Sequence, residues 1–199
     1  VVRTGSFISN INFATDYILY VNTDFSPVVY CVNTKTLSQN FGIICDISVD
    51  PLNPDNVMVT SGGTSGTHIY YSTNGTSANP TFTAKDGDLP DMPVFGCVIE
   101  RGADNKAIIG TEYGVFSTED ITASSPSWVP NNDELGPVPV FDITQQWRDW
   151  EDGLGNGITR VGNPGAIYAC TFGRGIWRAD ELLSTPDHYN FSTEELSKV

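Results

Sequence analysis

Short apolar runs with a period of two alternate along this chain with clusters of Gly, Pro, Asn, Asp and Ser, the pattern of strands joined by tight turns. Asp46-Ile47-Ser48-Val49 leads through Asp50-Pro51-Leu52-Asn53-Pro54-Asp55-Asn56 into Val57-Met58-Val59-Thr60, which reads as strand, turn, strand. The same unit returns at Gly96-Cys97-Val98-Ile99-Glu100, a turn over 101–106, and Ala107-Ile108-Ile109-Gly110-Thr111, fifty residues further on. A third copy begins at Val138-Pro139-Val140-Phe141-Asp142-Ile143, and its next strand, Ala166-Ile167-Tyr168-Ala169-Cys170, is delayed by an insertion rich in Trp, Asp and Gly. A looser first copy runs from Tyr17-Ile18-Leu19-Tyr20-Val21 to Pro27-Val28-Val29-Tyr30-Cys31-Val32.

Each unit adds a third strand that ends in an aromatic just before a turn. Gly114-Val115-Phe116-Ser117-Thr118 aligns with Gly175-Ile176-Trp177-Arg178-Ala179, and His68-Ile69-Tyr70-Tyr71-Ser72-Thr73 holds the same place one unit earlier, with Ser72 set against Ser117. Repeats of this length, built from several short strands, predict β-propeller blades, because one small sheet buries its two faces only against neighbouring sheets. The expected fold is all-β, made of four-stranded antiparallel blades from the C-terminal part of a propeller, with units at 1–41, 42–92, 93–137 and 138–180. The tail, 181–199, leaves the pattern and reads as a linker or terminal segment; Ser192 and Glu195 there have the spacing of a helix capping box. The opening Val1-Val2-Arg3, without Met or a signal sequence, suggests numbering that starts inside a longer protein, whose other blades or domains are then the nearest partners.

Composition agrees with turns and strands: 39% hydrophobic, 17% charged, 19 Gly and 12 Pro in 199 residues. The net charge of −14 repels phosphate backbones and anionic lipid surfaces, so nucleic acid is not expected, and with no apolar run near the eighteen or so residues of a membrane helix, neither is membrane insertion. Cys31, Cys45, Cys97 and Cys170 are dispersed in apolar runs and read as buried thiols, with a Cys31–Cys45 bridge left open. The two histidines, His68 and His188, lie far from any thiol cluster, which argues against a zinc site. Asn74-Gly75-Thr76 and Asn190-Phe191-Ser192 fit the N-glycosylation pattern.

The turns after the third strands resemble the Asp box, Ser-x-Asp-x-Gly-x-x-Trp (also called the BNR repeat), of sialidase-like and sortilin-like propellers. Ser72 and Asn74, with Phe82 as the aromatic, carry the likeness in one unit; Ser117 and Glu119, with Trp128 after a longer loop, carry it in the next; Asp180 carries it in the last. Thr171-Phe172-Gly173-Arg174-Gly175-Ile176-Trp177-Arg178 is similar to the last blade of exported xyloglucanase-like and sortilin-like propellers, and the whole is similar to large surface proteins of gliding bacteria that end in a type IX secretion signal. The resemblance covers 42–180 at most. It implies a secreted or cell-surface acidic protein with a role in adhesion, recognition or assembly, binding a glycan or a surface protein. The alternative is a xyloglucanase-like or sialidase-like glycoside hydrolase whose catalytic carboxylates lie outside these residues, since Asp142, Asp149, Glu151 and Asp152 sit in no recognisable catalytic motif.

Function is expected where the repeat is interrupted, because binding residues concentrate on loops held by a rigid scaffold. In the insertion, Trp147, Arg148, Asp149, Trp150 and Asp152 are the candidate ligand-binding residues, the tryptophans as stacking surfaces and the carboxylates as acceptors. No cofactor is expected, with Ca²⁺ as the possible exception through Asp149, Glu151, Asp152 and Asn156. The same residues also suit a plain surface loop pinned by its tryptophans.

Overall fold

The structure is a computed structural model that describes residues 41–50, 52–100, 105–146 and 165–179, together with the backbone of Ser192–Thr193. It is all-β, and among the described residues there is no helix. Three four-stranded antiparallel sheets follow one another along the chain. The first holds β1 (Ile44–Val49), β2 (Val57–Ser61), β3 (Ile69–Ser72) and β4 (Thr83–Ala84), and the second β5 (Val94–Ile99), β6 (Ala107–Thr111), β7 (Gly114–Thr118) and β8 (Val129–Pro130). The third holds β9 (Val140–Gln145), β10 (Ile167–Thr171), β11 (Gly175–Ala179) and β12 (Ser192–Thr193). Within each, strands pair in chain order, as consecutive hairpins dictate.

The sheets are copies of one another down to a β-bulge. Pairing slips by one residue between Ile44 and Asp46 in β1, between Val94 and Gly96 in β5, and opposite Cys170–Thr171 in β9. Cys45, Phe95 and Phe141 are therefore the bulged residues of three equivalent strands. The register also sets the third strands in line. Val57 pairs with Ser72, Ala107 with Thr118 and Ile167 with Ala179, so Ser72 corresponds to Thr118 rather than to Ser117. Tyr70, Phe116 and Trp177 consequently share one position, and so do Phe82 and Trp128 at the entry to the fourth strands.

Alternation along these strands sends one set of side chains forward and the other back. Met58, Ile69 and Tyr71 of the first sheet meet Cys97, Ile99, Ile109, Phe116 and Trp128 of the second, with Leu89 and Met92 from the connecting segment. Val98, Ile108 and Val115 on the other face of the second sheet meet Ile143, Ile167, Ala169 and Trp177 of the third. The opposite face of the first sheet, with Val57, Val59, Tyr70 and Phe82, is closed by Phe41. The middle sheet is thus apolar on both faces, which is why all of β6 and β7 is buried. Two glycines let the third sheet come close: a Cβ on Gly96 would stand 2.9 Å from the Ile143 nitrogen, and one on Gly110 2.8 Å from the Val140 oxygen.

Ser192–Thr193, which the sequence pattern leaves in the tail as a linker or a helix start, supplies instead the fourth strand of the third sheet by pairing with Trp177 and Arg178. A sheet edge at β11 offers unpaired backbone groups, and two extended residues satisfy them where an isolated one-turn helix has little to hold it.

Candidate functional site

The first strands β1, β5 and β9 lie next to one another across the three sheets, and their bulged starts share one end of the molecule with the β2–β3, β6–β7 and β10–β11 turns. Phe95 stacks on Phe141 of the next sheet, ring centres 5.1 Å apart, and Phe141 meets Phe172 of the β10–β11 turn at 5.9 Å. Phe141 is 50% exposed and Phe172 68%, and Tyr113 in the β6–β7 turn and Ile43 before β1 are exposed as well. Bulges at strand starts turn side chains outward, so the sheet geometry itself generates this apolar row. Its rings are inclined at 54° and 83° to each other, so they form a knobbed ridge rather than a flat shelf.

Carboxylates punctuate the row. Asp46 and Asp142 follow the bulges of β1 and β9, with Gly96 at the same position between them. Asp46 is engaged: its Oδ1 accepts the Ile47 amide at 2.8 Å and its Oδ2 the Cys97 amide of the next sheet at 2.9 Å. Two positions on, the Ser48 hydroxyl accepts the Ile99 amide at 2.9 Å. The free edge of β5 is thus capped by side chains of β1. Burial lifts the Asp46 carboxyl above the ordinary range, with the neighbouring Asp142 charge adding to it, against the pull of its two amide donors. Burial likewise pushes up the thiols of Cys45, Cys97 and Cys170. All three are free thiols, but only Cys97 is buried as the apolar runs suggest, Cys45 being exposed at the bulge and Cys170 half-buried; Cys31 lies outside the described residues.

The outer rims of the first two sheets are tied separately. Lys85 donates from Nζ to the carbonyls of Thr122 and Ala123, at 3.0 and 2.6 Å. Asp88 accepts the Trp128 amide and the Ser127 hydroxyl, while the Trp128 indole donates to the Lys85 carbonyl at 3.0 Å. His68, buried at the start of β3, binds Asp91 through Nε2 at 2.7 Å and takes Asp86 on its backbone amide.

The turns singled out in the sequence are local hydrogen-bond devices. Ser72 donates to Asn74 Oδ1 at 2.9 Å, the same oxygen accepts the Thr81 amide at 2.8 Å, and Gly75 donates to the Asp55 carbonyl. In the second turn the Thr118 hydroxyl accepts the Asp120 amide at 3.4 Å, Asp120 Oδ1 accepts the Thr122 amide at 2.9 Å, and the Ile121 amide donates to the Asn105 carbonyl as Gly75 does to Asp55. Asp120, not Glu119, therefore stands where Asn74 does. Glu119 pairs with Lys106 at 2.8 Å and Ser117 accepts from Asn131 at 2.7 Å. Asp180 lies outside the described residues.

In the 171–178 string, Thr171 donates to the Gly175 carbonyl at 2.7 Å across the hairpin, as Thr111 does to Gly114 at 2.9 Å. Arg174 donates to the Leu135 carbonyl between the second and third sheets and lies over the Trp177 ring at 5.9 Å. Gly173 and Gly175 adopt φ of 82° and 77°, which the tight turn requires.

Trp147, Arg148, Asp149, Trp150, Glu151, Asp152 and Asn156 lie outside the described residues. Their loop leaves β9 after Gln146 and returns at Gly165, where the Gly165 amide donates to the Gln146 carbonyl at 2.6 Å. That is the end of the sheet opposite Phe141. Among the described residues, no group of three or more His, Cys, Asp or Glu side chains is placed to hold a metal ion, and no helix is long and apolar enough to cross a membrane. No protein-family model and no curated protein matches the sequence.

Proposed function

We propose that the chain is a non-catalytic recognition part of a secreted or cell-surface β-propeller, holding a protein or glycan ligand at the end of the sheets where the first strands begin. The propeller is supported by three meander sheets that share one bulge, stack face to face through successive apolar layers, and keep their first strands adjacent, as blades around an axis do. The Asp-box likeness is supported by the paired turns at Ser72–Asn74 and Thr118–Asp120.

The observation that carries recognition is the row Phe95–Phe141–Phe172, in which Phe141 and Phe172 are exposed. Contiguous aromatics beside carboxylates mark a binding surface where, among the described residues, most other large apolar side chains are interior. The engaged state of Asp46 supports a scaffold role for that carboxyl rather than acid catalysis.

A glycan array and a panel of purified surface proteins, probed with the chain and with its Phe172→Ser variant, test this reading. A ligand held by the parent and weakened about tenfold or more by the substitution is the expected result. Absence of any ligand, binding indifferent to Phe172, or turnover of a polysaccharide overturns it.

A further inference from the structure

The side chains that join the first sheet to the second recur on the third, where nothing described meets them. In β1, Asp46 and Ser48 reach across to the edge amides of Cys97 and Ile99. In β5 the two equivalent positions are Gly96 and Val98, and the third sheet approaches there by direct backbone contact. In β9 they are Asp142 and Thr144, an aspartate and a hydroxyl once more, in the string Asp-Ile-Thr against Asp-Ile-Ser. Both side chains are exposed, and among the described residues no amide of a neighbouring sheet donates to either as the Cys97 and Ile99 amides do to Asp46 and Ser48.

The face around them follows the same logic. Val115, on the side of the second sheet turned to the third, is fully buried; its equivalent Ile176 is 58% exposed. Gly110 is overlain by Val140, whereas its equivalent Cys170 is only partly covered. Phe95 is covered by Phe141, and Phe141 itself is half exposed. At these three positions the side chain closed on the second sheet by the third is more exposed on the third.

We propose that Asp142 and Thr144 are the acceptors for two edge amides of the first strand of a further four-stranded unit, carried by the same polypeptide outside these 199 residues, which stacks on the β9–β11 face as β5–β8 stacks on β1–β4. The occupant is defined by what the surface offers. Two acceptors two residues apart on an extended strand match two amides that point the same way from a strand edge. Ile176 and Cys170 ask for an aliphatic layer, and Phe141 for an apolar residue at the incoming bulge. Continuation of the existing sheet-on-sheet stacking supplies all of these together. This assembly surface shares Phe141 with the ligand ridge but not Phe172, and its test does not depend on any ligand being found.

Hydroxyl-radical footprinting of Ile176 and Cys170, read by mass spectrometry, compares the 199-residue chain with the natural gene product that contains it. Several-fold lower oxidation of both residues in the gene product is expected, with the isolated chain reactive and monomeric. In the gene product, Asp142→Ala with Thr144→Val lowers the folded-to-unfolded ratio by roughly tenfold or more, while the same pair is neutral in the isolated chain. Equal oxidation in the two proteins overturns the proposal. So does protection already present in the isolated chain: a dimeric mass then assigns the face to a second copy, and a monomeric mass to residues within the chain.

Discussion

Asp46 and Asp88 both join the first sheet to the second, yet their environments move their protonation in opposite directions. Asp46 is held above the usual carboxylate range chiefly by burial, so the folded protein retains that proton more readily than the unfolded chain. The stability attached to it is greatest at low pH and declines as pH rises through its folded pKa. Asp88 is held below the usual range, first by the Trp128 amide, so its contribution is present above the ordinary carboxylate value and is lost as pH falls. Urea midpoints measured across the acidic range check both signs. Asp88→Asn flattens the loss of stability on the acid side, and Asp46→Asn flattens the decline on going from acid toward neutral pH. Steeper dependence in either variant contradicts the assignment.

At the scale of the element, the bulge and the two close-approach glycines decide how β5 and β6 fit against β9. Gly96→Ala and Gly110→Ala each drive a methyl into backbone atoms of β9, which cannot give way as a flexible side chain can. Each is expected to cost about 1–3 kcal/mol, the usual range for overpacking. Thermal unfolding followed by tryptophan fluorescence checks this, and a cost much below that range shows that β9 sits further away.

The strands themselves were legible in the sequence, because alternation and turn residues announce them: β2, β6 and β10 fall on the apolar runs already visible there. The alignment of the third strands was legible only to within one residue. Matching Ser72 with Ser117 follows the letters, but in a period-two element a slip of one exchanges the faces. Strand pairing corrects it to Thr118, and with it the turn carboxylate to Asp120. The joining side chains Asp46 and Ser48 were missed although Asp-Ile-Ser at 46–48 and Asp-Ile-Thr at 142–144 were a usable signal. The aromatic row was not legible, since Phe95, Phe141 and Phe172 are brought together only by stacking of separate sheets.

For the whole molecule, the account comes down to repeated sheets stacked in one register, with the edge of β5 closed by side chains of β1. The rim ties at Lys85 and Asp88 and the ridge at the bulged ends both follow from that stacking. Hydrogen exchange at the Cys97 amide, measured by NMR in the parent and in Asp46→Ala, tests it most directly. That amide has its acceptor on the neighbouring sheet, not on its own, so its protection reports the contact between units. The stacking predicts exchange about tenfold faster or more at Cys97 in the variant, corresponding to the loss of one charge-assisted hydrogen bond, with β6–β7 amides much less affected. Unchanged exchange at Cys97 contradicts it.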